Sequence, residues 1–194
     1  VVALTTTIES GFGAFHMTRG GFLLNNELTD FSAQPVDGDG NPIANAVAPR
    51  KRPRSSMAPT LVFRPDADGK PAEFVMATGS PGGAAIIQYV VKTLVGTLDW
   101  NLDPQQAISM INFGTSNGGT VSVGGEHPHV DTSNGGDNDP LITGLRAYGH
   151  TVSTGAQTSG LGSILRTTVN GEPAYAGGAD PRREGIVLGD TFVP

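Results

Sequence analysis

The sequence has no cysteine among its 194 residues. This absence excludes disulfide bonds, thiolate nucleophiles and zinc sites built on cysteine. It is compatible with both reducing and oxidising compartments, so the cellular location stays open.

Positive charge is also scarce, with 12 Lys and Arg against 18 Asp and Glu and a net charge of -6. A nucleic-acid surface needs clustered basic residues to neutralise phosphates, and no long basic tract is present. No apolar run approaches the roughly 18 residues that a membrane-spanning helix requires. We therefore predict neither a nucleic-acid partner nor a membrane span in this chain.

Glycine and proline are abundant instead, at 28 and 14 residues. They lie between periodic segments rather than in a low-complexity tract, which is typical of a loop-rich globular protein. The length suits one ordinary domain with a sizeable core. We predict a single domain over residues 1–194.

Alternating and short apolar runs predict β-strands. Residues 1–9 alternate, which predicts a strand with one face toward the core and one polar face. The predicted core face comprises Val2, Leu4, Thr6 and Ile8, and the polar face includes Thr7 and Glu9. Further strands are predicted at 22–24, 61–63, 74–77 and 161–169, the last returning through an Asn170-Gly171 turn to 174–176. Residues 35–59 are dense in Pro, Gly and Asp and predict a long functional loop.

Helical periodicity is strongest over residues 84–98, where apolar side chains recur at intervals of three and four. Asp103-Pro104 and Asp139-Pro140 each combine an N-cap residue with a first-turn proline. We therefore predict a second helix after Asp103 and a third from Asp139 that ends at Gly149.

A glycine-rich turn, residues 79–83, connects a predicted strand to the strongest predicted helix. Such a turn presents unpaired backbone N–H groups that can hold a phosphate or stabilise an oxyanion. The phosphate-loop signature of a following Lys-Ser/Thr is missing. A tight turn with packing glycines remains the alternative.

Two further clusters contain polar groups in short spacing. Glu27 and Asp30 follow a predicted strand end and can bind an ammonium group or a metal, or else cap a turn in solvent. Ser55 and Ser56 lie beside three cations in residues 51–57, which alone is typical of a solvated basic loop. The histidines share no metal-ligand spacing with carboxylates, so we predict no metal and no cofactor.

Four motifs, in this order and spacing, resemble the small subunit of the γ-glutamyltranspeptidase family. They are Thr5 to Glu9, Leu23 to Ser32, Lys51 to Thr60 and Thr78 to Gly83. The resemblance covers almost the whole chain, including the closing segments at 162–164 and 179–182, and is weakest over residues 114–138.

The resemblance implies an α+β fold, the αββα four-layer sandwich of N-terminal-nucleophile hydrolases. It also implies that this chain is the small, C-terminal subunit, released with a large subunit from one precursor by autoprocessing. In that family the cut exposes a threonine that acts as nucleophile, with its own α-amine as base. This threonine is expected shortly before Val1, so the chain is expected to lack its first residues. A periplasmic or secreted location is suggested by the family resemblance alone.

The catalytic residues implied by the resemblance are Thr7, Gly82 and Gly83. Thr7 is similar to the family's second threonine, which hydrogen-bonds the nucleophile. The N–H groups of Gly82 and Gly83 match the oxyanion hole.

The substrate-binding residues implied by the resemblance lie on two sides of a glutamyl group. Glu27 and Asp30 match residues that hold the α-ammonium group, and Ser55 and Ser56 match residues that hold the α-carboxylate. An arginine from the large subunit is expected to complete the carboxylate side.

The chain departs from the family pattern at two places. Glu9 stands where better-known members have asparagine, so three carboxylates would surround the substrate ammonium. In that case, either one of the three carboxylates is protonated, or the site requires a cation more strongly. The loop from Gln34 to Asn45 is shorter than the lid of the bacterial transpeptidases and has no tyrosine, which predicts a more open site.

The function implied is that of a γ-glutamyl hydrolase or transpeptidase acting on glutathione-like amides. A γ-glutamyl-threonyl ester would be resolved by water or an acceptor amino acid. One alternative is an acylase of the same superfamily that cleaves glutaryl or cephalosporin-type amides and needs no ammonium site. Another is a catalytically silent interaction or storage domain.

Overall fold

The structure is a computed structural model that describes residues 1–8, 11–116 and 118–189. Contacts divide the chain into two compact units. The larger comprises Val1–Thr5 and Ala58–Pro194, and the smaller comprises Thr6–Met57. The single domain over residues 1–194 stays a prediction.

The larger unit contains two sheets and their helices. In chain order the elements are β1 Thr60–Pro65, β2 Pro71–Gly79, α1 Ile86–Leu98, α2 Pro104–Ser109, β3 Phe113–Gly114, β4 Thr120–Gly124, α3 Pro140–Ala147, β5 Thr151–Gly155, β6 Gly162–Val169 and β7 Glu172–Ala179. A 3-10 turn, Gly83–Ala85, leads into α1. The predicted α+β class is confirmed.

The first sheet is antiparallel with the order β1-β2-β6-β7. It consists of two hairpins joined by the pairing of β2 with β6, where the Thr78 hydroxyl donates to the Gly162 carbonyl at 3.1 Å. The predicted Asn170-Gly171 turn is confirmed, and both residues have positive φ, 52° and 86°. Asn-Gly tolerates this conformation, which matches the twist of the flanking strands.

The helices α1 and α2 pack against this sheet. Tyr89 of α1, Ile108 of α2 and Leu161 before β6 form one buried cluster. The predicted start of α2 is confirmed as a capping box, in which Asp103 accepts from the Gln106 N–H and the Gln106 side chain accepts from the Asp103 N–H. Gln105 then anchors α2 to β7 by bonding both the N–H and the carbonyl of Ala179, each at 3.0 Å.

The second sheet has the order β3-β4-β5, and the sequence analysis did not predict it. β3 is antiparallel to β4, whereas β5 is parallel to β4 and follows it through α3. The sheet and α3 share a core of Val121, Val123, Val130 and Ile142. Asp139 caps α3 as predicted, accepting from the N–H groups of Leu141 and Ile142.

The strand predicted over residues 1–9 is wrong for residues 1–8, which form no strand in the described chain. The burial is also opposite to the prediction, because Val2 and Leu4 are 85% and 82% exposed, whereas Thr5 and Thr7 are half-buried. A strand requires a hydrogen-bonded neighbour, and no described segment pairs with residues 1–8. Glu9 lies outside the described residues.

The smaller unit contains neither an α-helix nor a sheet among its described residues. The strand predicted at 22–24 is wrong, since only Leu23 forms an isolated bridge, with Met17. Short 3-10 turns occur at Gly13–Phe15 and Glu27–Asp30. Irregular backbone over 35–57 agrees with the predicted loop.

Across the described ranges, none of the helices has the length and apolar character needed to cross a bilayer.

Candidate active site

The turn Ser80–Gly83 connects β2 to α1 and has a conformation that requires glycine. Gly82 and Gly83 have φ values of 141° and 59°. A Cβ atom at Gly82 would lie 2.5 Å from Cε2 of Tyr89, whereas one at Gly83 would meet open space. Gly82 therefore has both a backbone and a steric reason to be glycine, and Gly83 has only a backbone reason.

The backbone N–H groups of this turn lack acceptors among the described residues. Neither Gly82 nor Gly83 donates its N–H to an acceptor in the described part of the chain, and Gly83 is exposed. The first N–H groups of a helix have no intrahelical partner and favour negative charge. Two adjacent donors of this kind can stabilise an oxyanion.

The turn is held in place by the segment that precedes β6. The buried Ser80 hydroxyl accepts from the Gly160 N–H at 3.1 Å and donates to the Pro81 carbonyl at 2.6 Å. Gly160 has no room for a side chain, because a Cβ atom there would lie 2.7 Å from Cγ of Pro81. Gly160 carries no local sequence signal of this role, because the contact joins residues far apart in the chain.

In the smaller unit, Glu27 and Asp30 share one 3-10 turn. The Glu27 N–H donates to Asn25 Oδ1 at 3.1 Å, which fixes the start of the turn. Oε2 of Glu27 is buried and accepts no hydrogen bond from the described residues. A buried acceptor without a partner is costly unless a ligand supplies the donor.

Asn45 connects the acidic turn with the segment that carries the paired serines. Its Nδ2 donates to the Asp30 carbonyl at 2.7 Å, and its Oδ1 accepts from the Arg54 N–H at 2.9 Å. Ser55, the next residue, is exposed, and Ser56 is half-buried. The structure thus brings the predicted ammonium and carboxylate segments together through a residue that the sequence analysis missed. An asparagine inside a polar loop gives no local signal of such a role.

The remaining predicted site residues are Thr7 and Glu9. Thr7 is half-buried, and Glu9 lies outside the described residues. The described residues contain no group of three or more potential metal ligands among His, Asp and Glu.

Comparison with known proteins gives the family. The family model described as gamma-glutamyltranspeptidase matches residues 1–190. The chain belongs to the γ-glutamyltranspeptidase family. The glutathione hydrolase proenzyme of Bacillus subtilis strain 168 is 34% identical to it over 198 residues, which cover 97% of this chain and 28% of that relative. The corresponding proenzyme of Escherichia coli K12 is 41% identical over 121 residues, covering 58% of this chain and 19% of the relative.

Solved structures of the γ-glutamyltranspeptidase family have the same fold. A mutant of the Helicobacter pylori enzyme aligns with a TM-score of 0.70 and 28% identity, covering 94% of this chain and 93% of that chain. The predicted N-terminal-nucleophile hydrolase fold is therefore confirmed. The chain spans about 28% of the B. subtilis proenzyme but nearly all of the H. pylori chain.

Proposed function

We propose that this chain is the small subunit of a γ-glutamyl hydrolase or transpeptidase that acts on glutathione-like amides. The observation that carries the proposal is the pair of unpartnered N–H groups at Gly82 and Gly83, at the start of α1, in a member of this family. The names of the relatives support the activity, because both are glutathione hydrolase proenzymes. The word proenzyme also supports a precursor that yields a large subunit as the partner of this chain.

In the proposed reaction, a threonine of the same protein attacks the γ-carbonyl carbon of the substrate. Its hydroxyl proton passes to its α-amine, and the carbonyl oxygen, now negative, accepts from the N–H groups of Gly82 and Gly83. Collapse of this intermediate breaks the amide bond, and the leaving amine takes the proton. Water or an acceptor amino acid then attacks the γ-glutamyl ester and regenerates the hydroxyl. Thr7 is proposed to hydrogen-bond the nucleophile.

The proposed substrate contacts follow from the charges of a glutamyl group. Glu27 and Asp30, with Glu9, would accept from the α-ammonium, and the unpartnered Oε2 of Glu27 supports this role. Ser55 and Ser56 would donate to the α-carboxylate. Asn45 keeps the two sides at a fixed spacing, because it bonds both backbone segments.

The test compares matched chromogenic γ-glutamyl and glutaryl amides, which differ only in the α-amino group, using the full-length processed protein. A hydrogen bond to a charged group contributes about 1.5 to 3 kcal/mol, so we expect a preference of roughly tenfold to a hundredfold for the γ-glutamyl amide. Asp30→Ala should remove most of this preference, and Glu9→Asn should change it modestly.

The matched control is Asp68→Ala, because Asp68 is an exposed acid in the turn between β1 and β2. It should leave the preference unchanged. Equal cleavage of both amides by the native protein would reject the ammonium site and favour the acylase. Cleavage of neither amide would favour a silent domain.

A further inference from the structure

Lys92 is a buried cation in the middle of α1. Lys92 is only 5% exposed. Its Nζ donates to the carbonyls of Ile108 and Met110 at 3.0 and 2.9 Å and to Asn112 Oδ1 at 3.0 Å. An ammonium group has three donors, so these three acceptors satisfy it completely. Lys92 therefore fixes α1 against the end of α2 and the loop that follows.

Asn112 extends this network to the segment before β6. Its Nδ2 donates to the Gln157 carbonyl at 2.6 Å and to the Ser159 hydroxyl at 2.8 Å. The Ser159 hydroxyl in turn donates to Asp180, whose Oδ2 also accepts from the Leu161 N–H at 3.0 Å. Residues 157–161 are thus held by a chain of bonds that begins at Lys92.

Two charged side chains act on the Lys92 ammonium, Asp180 and Arg182, both from the segment after β7. They form a fully buried ion pair at 3.0 Å, and Arg182 also donates to the Ile108 and Met110 carbonyls that accept from Lys92. Burial first, and then the charge of Arg182, lower the pKa of Lys92 to about 7, while Asp180 opposes this shift. The ammonium and the amine are therefore both populated near neutral pH.

The network reaches the glycine turn from two sides. Gly160, next to Ser159, donates its N–H to Ser80 and packs against Pro81. Tyr89 lies one helical turn before Lys92 on α1, and its ring closes the space beside Gly82. A displacement of α1 relative to residues 157–161 would consequently change the direction of the Gly82 and Gly83 N–H groups.

We propose that Lys92 is a positioning residue for the Gly82–Gly83 turn, acting through Asn112 and the Ser159–Gly160 segment. The proposal rests on the function proposed above, in which these N–H groups stabilise the oxyanion. Lys92 does not touch the turn itself, so its effect is on the geometry of the donors. Small displacements of such groups reduce the rate of the chemical step more than substrate affinity.

The protonation state of Lys92 should affect this geometry. The amine has one donor fewer than the ammonium, so one of the three acceptors loses its hydrogen bond from Lys92 when Lys92 deprotonates. The contribution of Lys92 to turnover is therefore present at low pH and is lost as the pH rises through the pKa of the lysine. This predicts a descending limb in the pH profile of kcat that belongs to Lys92.

The experiment measures kcat and KM for a chromogenic γ-glutamyl amide in the full-length processed enzyme, from about pH 5 to pH 10. Lys92→Met keeps the length of the side chain and removes its donors. It should lower kcat by roughly tenfold to a hundredfold with KM little changed, and the descending limb should disappear. Lys92→Arg stays charged at every pH, so it should retain more turnover than Lys92→Met and also lack that limb.

Lys70→Met is the matched control, since Lys70 is exposed in the turn between β1 and β2. It should retain the native kcat and pH profile.

Native kcat in Lys92→Met, or a changed KM with unchanged kcat, overturns the positioning role. If Lys92→Met does not fold, Ser159→Ala tests the same chain of bonds while both cations remain, and native kcat in that variant overturns the proposal. An inactive native enzyme contradicts the proposed function and the positioning role together.

Discussion

At the scale of single residues, the two adjacent glycines of the turn differ in what a side chain would meet. Gly82 faces the ring of Tyr89, whereas Gly83 faces open space. Both have a left-handed φ, which costs an L-residue roughly 1 to 2 kcal/mol. Only Gly82 combines this cost with a steric conflict, so substitution there should move the backbone.

We predict that Gly82→Ala lowers kcat of the processed enzyme by about a hundredfold or more. The added Cβ atom would lie 2.5 Å from Cε2 of Tyr89, which is too close, so the turn must shift. Its N–H groups would then no longer point at the oxyanion. Steady-state kinetics with a γ-glutamyl amide measures the effect.

The control for this prediction is Gly69→Ala. Gly69 also has a positive φ, 77°, and open space around its Cβ position, but it lies in the turn between β1 and β2. The control should lose some stability and keep its kcat. A folded Gly82→Ala enzyme with native kcat would contradict the oxyanion assignment.

At the scale of elements, the sequence predicted those whose signals are local. The helix starts at Asp103 and Asp139 and the Asn170-Gly171 turn are specified by a few neighbouring residues, and all three are confirmed. The glycine turn of the candidate site belongs to this group, because its residues are contiguous.

Elements that depend on distant partners were not predicted. The pairing of β4 with β5 joins residues 31 apart, as in the contact between the Ser122 and Ser153 hydroxyls at 3.1 Å. The alternation over residues 1–9 predicted a strand, but residues 1–8 have no strand neighbour in the described chain. The same reason explains why Asn45 and Lys92 were missed, since each acts through backbone groups that the sequence does not place beside it.

At the same scale, we predict that Asp139→Ala destabilises the protein by about 1 kcal/mol. Asp139 Oδ1 accepts from the Leu141 and Ile142 N–H groups at 2.9 and 3.3 Å, and alanine leaves these donors of α3 without a protein acceptor. Chemical denaturation of the processed protein, monitored by circular dichroism, measures the loss.

Asp137→Ala is the matched control, two residues earlier in the same loop. Asp137 forms an exposed ion pair with Arg146 at 2.6 Å, and such pairs contribute about 0 to 1 kcal/mol. The control should therefore have the smaller effect. Equal losses in both variants would show that the cap contributes no more than the surface ion pair.

At the scale of the whole molecule, the chain presents apolar side chains that its own residues do not cover. On α1, Ile87, Val91 and Leu98 are 51%, 50% and 42% exposed, although the opposite face of the helix is buried. A helix that is apolar on both faces is typical of a buried position between layers. We infer that the proposed large subunit covers this surface, because the chain spans only 28% of the B. subtilis proenzyme.

We predict that residues 1–194 expressed alone form aggregates or a poorly ordered protein, because the apolar face of α1 stays in water. Co-expression with the rest of the precursor should give a soluble complex. Size-exclusion chromatography with light scattering and thermal unfolding distinguish the two results. A monodisperse monomer that unfolds cooperatively would contradict the prediction.

The connection between the two hairpins of the first sheet has a kinetic consequence. The hairpins β1-β2 and β6-β7 form from neighbouring residues. The hydrogen bond from Thr78 to Gly162 instead joins residues that are 84 apart in the sequence. Closing long loops is slow compared with forming hairpins, because the entropy must be lost before the contacts form. The bond between Gly160 and Ser80 needs the same closure. The candidate oxyanion turn is thus expected to reach its final geometry late in folding, after the hairpins that flank it have formed.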